Sequence, residues 1–471
     1  MRNGMLLFLF LALCLLCAEA LALPDGTYAP QAFSFSGGTG KVTLSCPEVT
    51  VQGGRAEAKI VFSSPNYTEA RIGEARFSGR QEGDATVFEV PVPLNETFSL
   101  LATTKAMSRP HEIEYRLFVS LEEAPVSGLV PAGKMDLDYA QGFDVDRYEG
   151  GYSLIRVDGG ERYLVVPEQG EVPPGLDPAV TVIQKPVSRV YLAATSAMSL
   201  VDALGALDRI RLSGTRQDGW YVDSAAQAMA QGKILFAGKY SEPDYELLVK
   251  EECGLAVESM MILHTPKVRE LLELLGIPVF IDRSSSEPHP LGRLEWIRLY
   301  GLLLDREEEA DRVMQAQTAA LLDLPETEGA RKRAAIFALR PDGTVTVRGS
   351  RDYLVRCLEL AGGQYVFEDM QGQETNASVN ITMEAFYEAA READCLIVNA
   401  SIEEPFEKIS ELTRAQPLFS EFRAVKEGNV YCTDRALYQA ANGIGTFIGD
   451  VRLALAGMDG QVFLHRLEGE E

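Results

Sequence analysis

RVYLAA (189–194), RIRLSG (209–214), KILFAG (233–238), GLAVES (254–259) and IPVFID (277–282) decide the fold. Between these apolar runs lie helical patterns at about 197–207, 222–231, 242–250 and 265–275. Strand–helix alternation of this kind predicts a parallel sheet covered by helices on both faces. The series ends in HPLGRLEWIRLYG (289–301), where Leu291, Leu294, Ile297, Gly301 and Leu304 recur at helical spacing and the pattern runs on through DREEEADR toward Leu322. A second set follows: RAAIFAL (333–339), TVTVRG (344–349), DCLIVNA (394–400) and GNVYCT (428–433). The expectation is two Rossmann-like α/β lobes, 151–288 and 324–471, joined by a single long α-helix over 289–323. At about 1.5 Å per residue, thirty residues of helix span roughly 45 Å and hold two lobes either side of a cleft. The plainer alternative is an ordinary core helix inside one larger domain.

On the N-terminal side the rhythm changes. KVTLS, AEAKIVF, TVFEVPV and IEYRLFV alternate with period two between Gly, Pro and Asn clusters, which predicts a small Ig-like antiparallel β-sandwich over 23–125. Residues 126–150, rich in Pro, Gly and Asp, read as a linker. The opening MRNGMLLFLFLALCLLCAEALA (1–22) reads as an export signal, with an apolar run from Met5 to Cys17 too short for a comfortable membrane span. Leu13 before Cys14 and Leu16 before Cys17 make a poor lipid-attachment motif, so the expectation is an exported protein, periplasmic or at the cell surface. Beyond the signal, Cys46, Cys253, Cys357, Cys395 and Cys432 are an odd set without close pairs and read as buried thiols. A formal net charge of -25 argues against nucleic acid as a partner. At 471 residues the chain has room for about three folded units.

Five segments carry a resemblance. AATSAMSLVDALGALDRIRLSGT (193–215), AGKYSEPDYELL (237–248), ESMMILHTPKV (258–268), DRSSSEPHPLGRLEWIRLYG (282–301) and DYLVRCLELAGGQYVFED (352–369) resemble the iron-compound substrate-binding proteins of bacterial ABC transporters. That helix-linked class of periplasmic binding proteins includes ferric-siderophore and cobalamin binders. The resemblance implies a monomer that hands its ligand to a permease dimer with its ATPase, docking through one acidic residue per lobe near a helix start. The matching positions are Glu246 and Glu384, where Ser241 or Thr382 caps a helix; carboxylates there also suit the helix dipole without any partner. In the N-terminal unit SSPNY (63–67), TVFEVPVP (86–93) and TTKAMSRPHEIEY (103–115) are similar to a small β-domain akin to the haem-binding NEAT fold. The implied haem residues are His111 and Tyr115 on one strand, with Ser64 and Tyr67 as a covering lip. Histidine stands where that fold carries its iron-ligating tyrosine, and the alternative is a packed strand face in a spacer domain.

A ligand is expected where loops leave the carboxyl ends of the strands and face the opposite lobe. In the first lobe these loops hold Thr195 and Ser196, Trp220 and Tyr221, and Lys239 and Tyr240. They also hold Ser259, Met260 and the run Arg283, Ser284, Ser285. In the second lobe they hold Arg348, Ser350, Arg351, Ser401, Arg435 and Tyr438. Arginines with aromatic residues suit an anionic, partly aromatic ligand, because guanidinium offers fixed donors to carboxylate or catecholate oxygens and stacks on rings; Arg351 reads better as a surface ion-pair residue. Only four histidines are present, His111, His264, His289 and His465, which disfavours capture of a bare divalent metal and leaves His289 a capping role. Together with these residues, the resemblance implies an Fe(III)-siderophore as the guest, with haem and cobalamin kept open. No G-x-S-x-G or H-E-x-x-H motif occurs, and GGTGKV (37–42) and GIGTFIG (443–449) miss phosphate-loop and dinucleotide spacing, so an enzyme is not expected. A cell-surface adhesin is the alternative from another class.

Overall fold

The computed structural model describes residues 25–38, 42–94, 97–105, 111–121, 126, 129–322, 331–368, 378–400 and 404–469. The expected signal at 1–22 lies outside them. The chain divides into two compact units, Met1–Gly128 with Pro173–Ala179, and Leu129–Val172 with Val180–Glu471.

The first unit is all β. Its strands are β1 (Gly26–Tyr28), β2 (Ala32–Gly37), β3 (Leu44–Gln52), β4 (Arg55–Phe62), β5 (Tyr67–Ile72), β6 (Ala75–Ser78), β7 (Arg80–Glu82), β8 (Ala85–Val92), β9 (Thr97–Thr104) and β10 (His111–Ser120). They form two antiparallel sheets, ordered β1-β3-β4-β8-β7 and β2-β10-β9-β5-β6. Period-two burial in β4 and β8 sends Ala58, Ile60, Phe62, Phe88 and Val90 into one core with Leu100, Tyr115 and Leu117, as alternation along a half-buried strand requires.

The second unit opens with a sheet the sequence reading missed. β11 (Pro131–Lys134), β12 (Phe143–Tyr148), β13 (Ser153–Val157), β14 (Glu161–Val166) and β15 (Val180–Gln184) pair in that order, all antiparallel except β14 with β15. Residues 126–150 are thus not simply a linker: Phe143, Val145 and Tyr148 turn inward and make β12 an integral strand.

The first lobe then alternates as expected. Strands β16 (Val190–Leu192), β17 (Ile210–Ser213), β18 (Leu235–Phe236), the hairpin β19 (Gly238–Lys239) with β20 (Glu242–Pro243), β21 (Leu255–Ser259) and β22 (Val279–Asp282) are interleaved with helices α1 (Thr195–Ala203), α2 (Asp223–Ala230), α3 (Tyr245–Lys250) and α4 (Pro266–Leu274). The sheet order is β18-β17-β16-β21-β22, all parallel.

The connector departs from expectation. It is two helices, α5 (Pro290–Leu304) and α6 (Glu307–Leu322), rather than one rod. Asp305 ends α5 in the left-handed region at φ 58°, and Arg306 N–H closes the cap on the Gly301 carbonyl at 2.8 Å. Three glutamates, Glu307 to Glu309, then fill the first turn of α6, where the helix dipole favours negative charge. Gly301 lets the helices cross closely, since a Cβ there would lie 3.0 Å from Ala310 Cβ and 3.2 Å from Glu307 Cα. α5 is buried along nearly its whole length and packs against α1.

The second lobe comprises β23 (Arg333–Leu339), β24 (Val345–Arg348), α7 (Tyr353–Leu360), β25 (Gln364–Tyr365), β26 (Ser378–Ile381), α8 (Met383–Ala390), β27 (Cys395–Val398), α9 (Ile409–Ala415), α10 (Arg423–Lys426), β28 (Val430–Thr433), α11 (Ile444–Ala456) and β29 (Leu464–Arg466). Its sheet is mixed. β23, β27 and β28 run parallel, but β24 folds back on β23 through the Asp342–Gly343 turn instead of following a helix crossover. α5 and α6 also pack on α11, and one apolar core runs through both lobes and the connector.

Two buried carboxylates fix the segment leading into β12. Glu287 Oε2 accepts from Gln141 N–H and Oε1 from Gly142 N–H, both at 2.9 Å, and Oε1 also from Trp296 Nε1 at 2.8 Å. Glu295 accepts from the N–H groups of Asp138, Tyr139 and Ala140 at 2.9, 2.7 and 2.7 Å. Five consecutive main-chain donors are satisfied by two side chains from EPHPLGRLE (287–295).

Candidate functional site

The carboxyl ends of β16, β17, β18, β21 and β22 deliver the first-lobe loops to one rim, where a doubly wound sheet offers its crevice. Thr195 and Ser196 open α1, half-buried, with Ser196 Oγ 3.5 Å from Ser284 Oγ. Ser284 is itself buried and donates to Asp282 Oδ1 at 2.6 Å. Tyr300 Oη donates to the other oxygen of that carboxylate at 2.5 Å, while burial pushes the Asp282 carboxyl above its ordinary range.

A cavity of about 450 Å³ sits on this rim, lined by Gly214, Arg216, Phe236, Gly238, Lys239 and Glu242. The Arg216 guanidinium lies over the Phe236 ring, 4.3 Å from its centroid, and meets no carboxylate among the described residues. Lys239, exposed, sits 3.3 Å from Glu242. Tyr240 is half-buried in the turn between β19 and β20. Arg216 was not singled out from sequence; its place directly after the strand RIRLSG is the signal that would have found it.

Several expected contacts are turned elsewhere. Trp220 is 5% exposed and donates from Nε1 to Ser213 Oγ at 3.1 Å, so it is a core anchor rather than a stacking surface. Arg283 points at the first sheet of its unit, its Nη2 3.3 and 3.2 Å from the two Glu161 carboxylate oxygens, and is spent there. Met260 Sδ receives Arg283 Nη1 at 3.6 Å and Ser286 Oγ at 3.2 Å, and Ser259 Oγ caps the turn after β21 by accepting from Met261 N–H. In the second lobe Arg348 is held by Ser378 Oγ at 3.2 Å and Asp352 at 3.6 Å, and Arg435 by Glu404 at 3.0 Å. Ser350 is half-buried and Arg351 exposed; Ser401 lies outside the described residues.

Tyr221 and Tyr438 do come together. Their rings meet edge to face at 6.0 Å, 37% and 41% exposed, one from each lobe. Beside them Gln439 bonds both lobes, a residue the sequence reading passed over.

Glu246 and Glu384 are exposed in the first turns of α3 and α8. Thr382 caps α8 as expected, accepting from Ala385 N–H at 3.3 Å, but α3 is capped by Asp244 rather than Ser241. His289 is the N-cap of α5, its Nδ1 accepting from Leu291 N–H at 3.2 Å; burial holds its pKa below the usual imidazole value.

In the β-sandwich, Tyr67 and Tyr115 are 3% and 1% exposed and share a hydrogen bond of 2.7 Å between their hydroxyls, with burial pushing the Tyr115 phenol up. Neither offers an open oxygen to a haem iron. His111 is exposed at the start of β10, and Ser64 Oγ accepts from Asn66 N–H at 3.4 Å. The five cysteines 46, 253, 357, 395 and 432 are buried free thiols. Among the described residues no group of three His, Cys, Asp or Glu is arranged to hold a metal ion, and no helix is long and apolar enough to cross a membrane.

The sequence model of the periplasmic binding protein family matches residues 194–437, more than half of the chain. An uncharacterized lipoprotein of Methanocaldococcus jannaschii is 24% identical over 272 residues, 55% of this chain and 62% of that protein's length. Among solved structures, the periplasmic haem-binding protein HutB of Vibrio cholerae aligns at 18% identity and a TM-score of 0.45, covering 55% of this chain and 96% of that one. An ABC-type Fe3+-hydroxamate transport system protein from Saccharomonospora viridis aligns at 18% identity and a TM-score of 0.43, covering 57% and 92%.

Proposed function

Because this chain belongs to the periplasmic binding protein family, we propose that it captures an anionic ferric chelate of the siderophore type and delivers it to an ABC permease with its ATPase. The observation that carries this reading is the rim cavity with the Arg216 guanidinium over the Phe236 ring and Lys239 beside it. A guanidinium resting over a ring still offers its donor fork to carboxylate or catecholate oxygens. The exposed Tyr221–Tyr438 pair favours haem as the second reading, since a planar ring system stacks on such rings. An N-terminal export signal and a monomeric state complete the proposal. The N-terminal sandwich is read as a NEAT-like spacer, its tyrosine pair closed on itself.

Isothermal titration of the mature protein with a ferric catecholate, a ferric hydroxamate, haemin and cyanocobalamin tests this. A ferric chelate should bind, and Arg216→Ala with Lys239→Ala should weaken it by roughly 10- to 100-fold through loss of charge-assisted contacts. Haemin binding alone, untouched by those substitutions, would replace the first reading with the second. Delivery is tested separately. Glu246→Ala combined with Glu384→Ala should abolish permease-dependent uptake and leave chelate affinity unchanged, whereas a fall in affinity would assign both glutamates to the fold or the pocket.

A further inference from the structure

The turn Arg435–Gln439 follows β28 in the second lobe, and its last side chain is 1% exposed. Gln439 Oε1 accepts from Tyr221 N–H at 2.8 Å, while Nε2 donates to the Gly219 carbonyl at 2.8 Å and to Tyr438 Oη at 2.8 Å. Two of these partners are main-chain atoms of one loop in the opposite lobe, so the amide reads that loop as a neighbouring peptide would. Main-chain groups cannot rotate away as side chains can. The loop is also anchored to its own lobe, because Trp220, between the two contacted residues, is buried and bonded to Ser213 at the end of β17. Any separation of the lobes at this point must therefore break both hydrogen bonds together, and it must part the Tyr221 and Tyr438 rings.

We propose that Gln439 is a latch between the lobes: its amide joins them at the 219–221 loop and so sets how often they part there. For ligand release this rests on the capture function proposed above; the latch itself does not. Gln439→Glu keeps the size and the acceptor but loses the donor, placing carboxylate oxygens against the Gly219 carbonyl, and Gln439→Ala removes both. Losing two buried hydrogen bonds should enlarge the open population about tenfold or more.

The test uses the mature chain without ligand. Glu270→Cys in the first lobe and Glu427→Cys in the second, both exposed positions, take spin labels, and the native described cysteines stay unlabelled because they are buried. With Gln439 in place, electron–electron resonance should give one narrow distance distribution. Gln439→Ala and Gln439→Glu should each add a longer-distance population while the circular dichroism spectrum stays that of the parent. Unchanged distributions in both folded variants would overturn the latch; if the alanine variant fails to fold, the glutamate variant decides alone. Failure of every chelate to bind the parent would strike the proposed function and leave this comparison standing.

Discussion

Glu295→Ala lowers the unfolding free energy of the two-lobed unit by about 3–5 kcal/mol, the cost of removing one partner from a buried, hydrogen-bonded charge network. The side chain is 0% exposed. It takes three successive main-chain donors, from Asp138, Tyr139 and Ala140, and sits 3.5 Å from Arg298 Nη1. Truncation leaves those N–H groups facing a void where water replaces the carboxylate poorly. Gln in the same place does not rescue the site, because its amide turns a donor toward donors. The neighbouring Gly292 shows how tight the seat is: a Cβ there would lie 3.1 Å from the Tyr139 carbonyl and 3.2 Å from Glu287 Oε2. Urea unfolding should show a lower midpoint with the slope unchanged, and the amides of residues 138–140 should lose hydrogen-exchange protection. A change below about 1 kcal/mol would mean that the segment is held by its packing alone.

That segment also marks the limit of what the chain declares. The strands of the parallel sheets were legible because short apolar runs such as IPVFID, bounded by polar turns, have no other stable use. The antiparallel opening sheet was not, because FDVDRY (143–148) is so charged that its alternation of Phe143, Val145 and Tyr148 reads as loop; its partners lie in β11 and β13. The break in the connector was hidden by a pattern that continues across it, from Leu304 to Ala310 and Met314, all buried. Only the cap chemistry of Asp305 and the three glutamates after it separates the helices. At the site, the rim loops followed from strand order, but the direction of each long side chain did not. Arg283 meets Glu161, which is 122 residues away in the chain, and no local pattern announces such a pair. Gln439 is hidden for the same reason, since its partners lie 218 and 220 residues away, whereas the place of Arg216 just after RIRLSG was a local signal.

Glu258→Gln stabilises the protein above neutral pH by about 3 kcal/mol at pH 7 and about 4 kcal/mol at pH 8, and hardly at all near pH 4. Glu258 is 0% exposed on β21, on the face that carries Ala256, and neither carboxylate oxygen has a hydrogen-bond partner among the described residues. The titratable groups that face it are Tyr191 from β16, Tyr245 from α3 and Cys253 just before β21, none of them cationic. Burial without compensation therefore raises its pKa from 4.5 to about 8. The folded chain keeps the proton through that interval while the unfolded chain releases it, so the unfolded state binds fewer protons and stability falls as pH rises from about 4.5 to about 8. Glutamine has the same shape and nothing to ionise, so its stability profile lacks this fall. Unfolding free energies of the parent and the variant from urea titrations should nearly coincide at pH 4 and differ by about 4 kcal/mol at pH 8. Parallel profiles across that range would show that the carboxyl is ionised in the folded protein and has found a partner there.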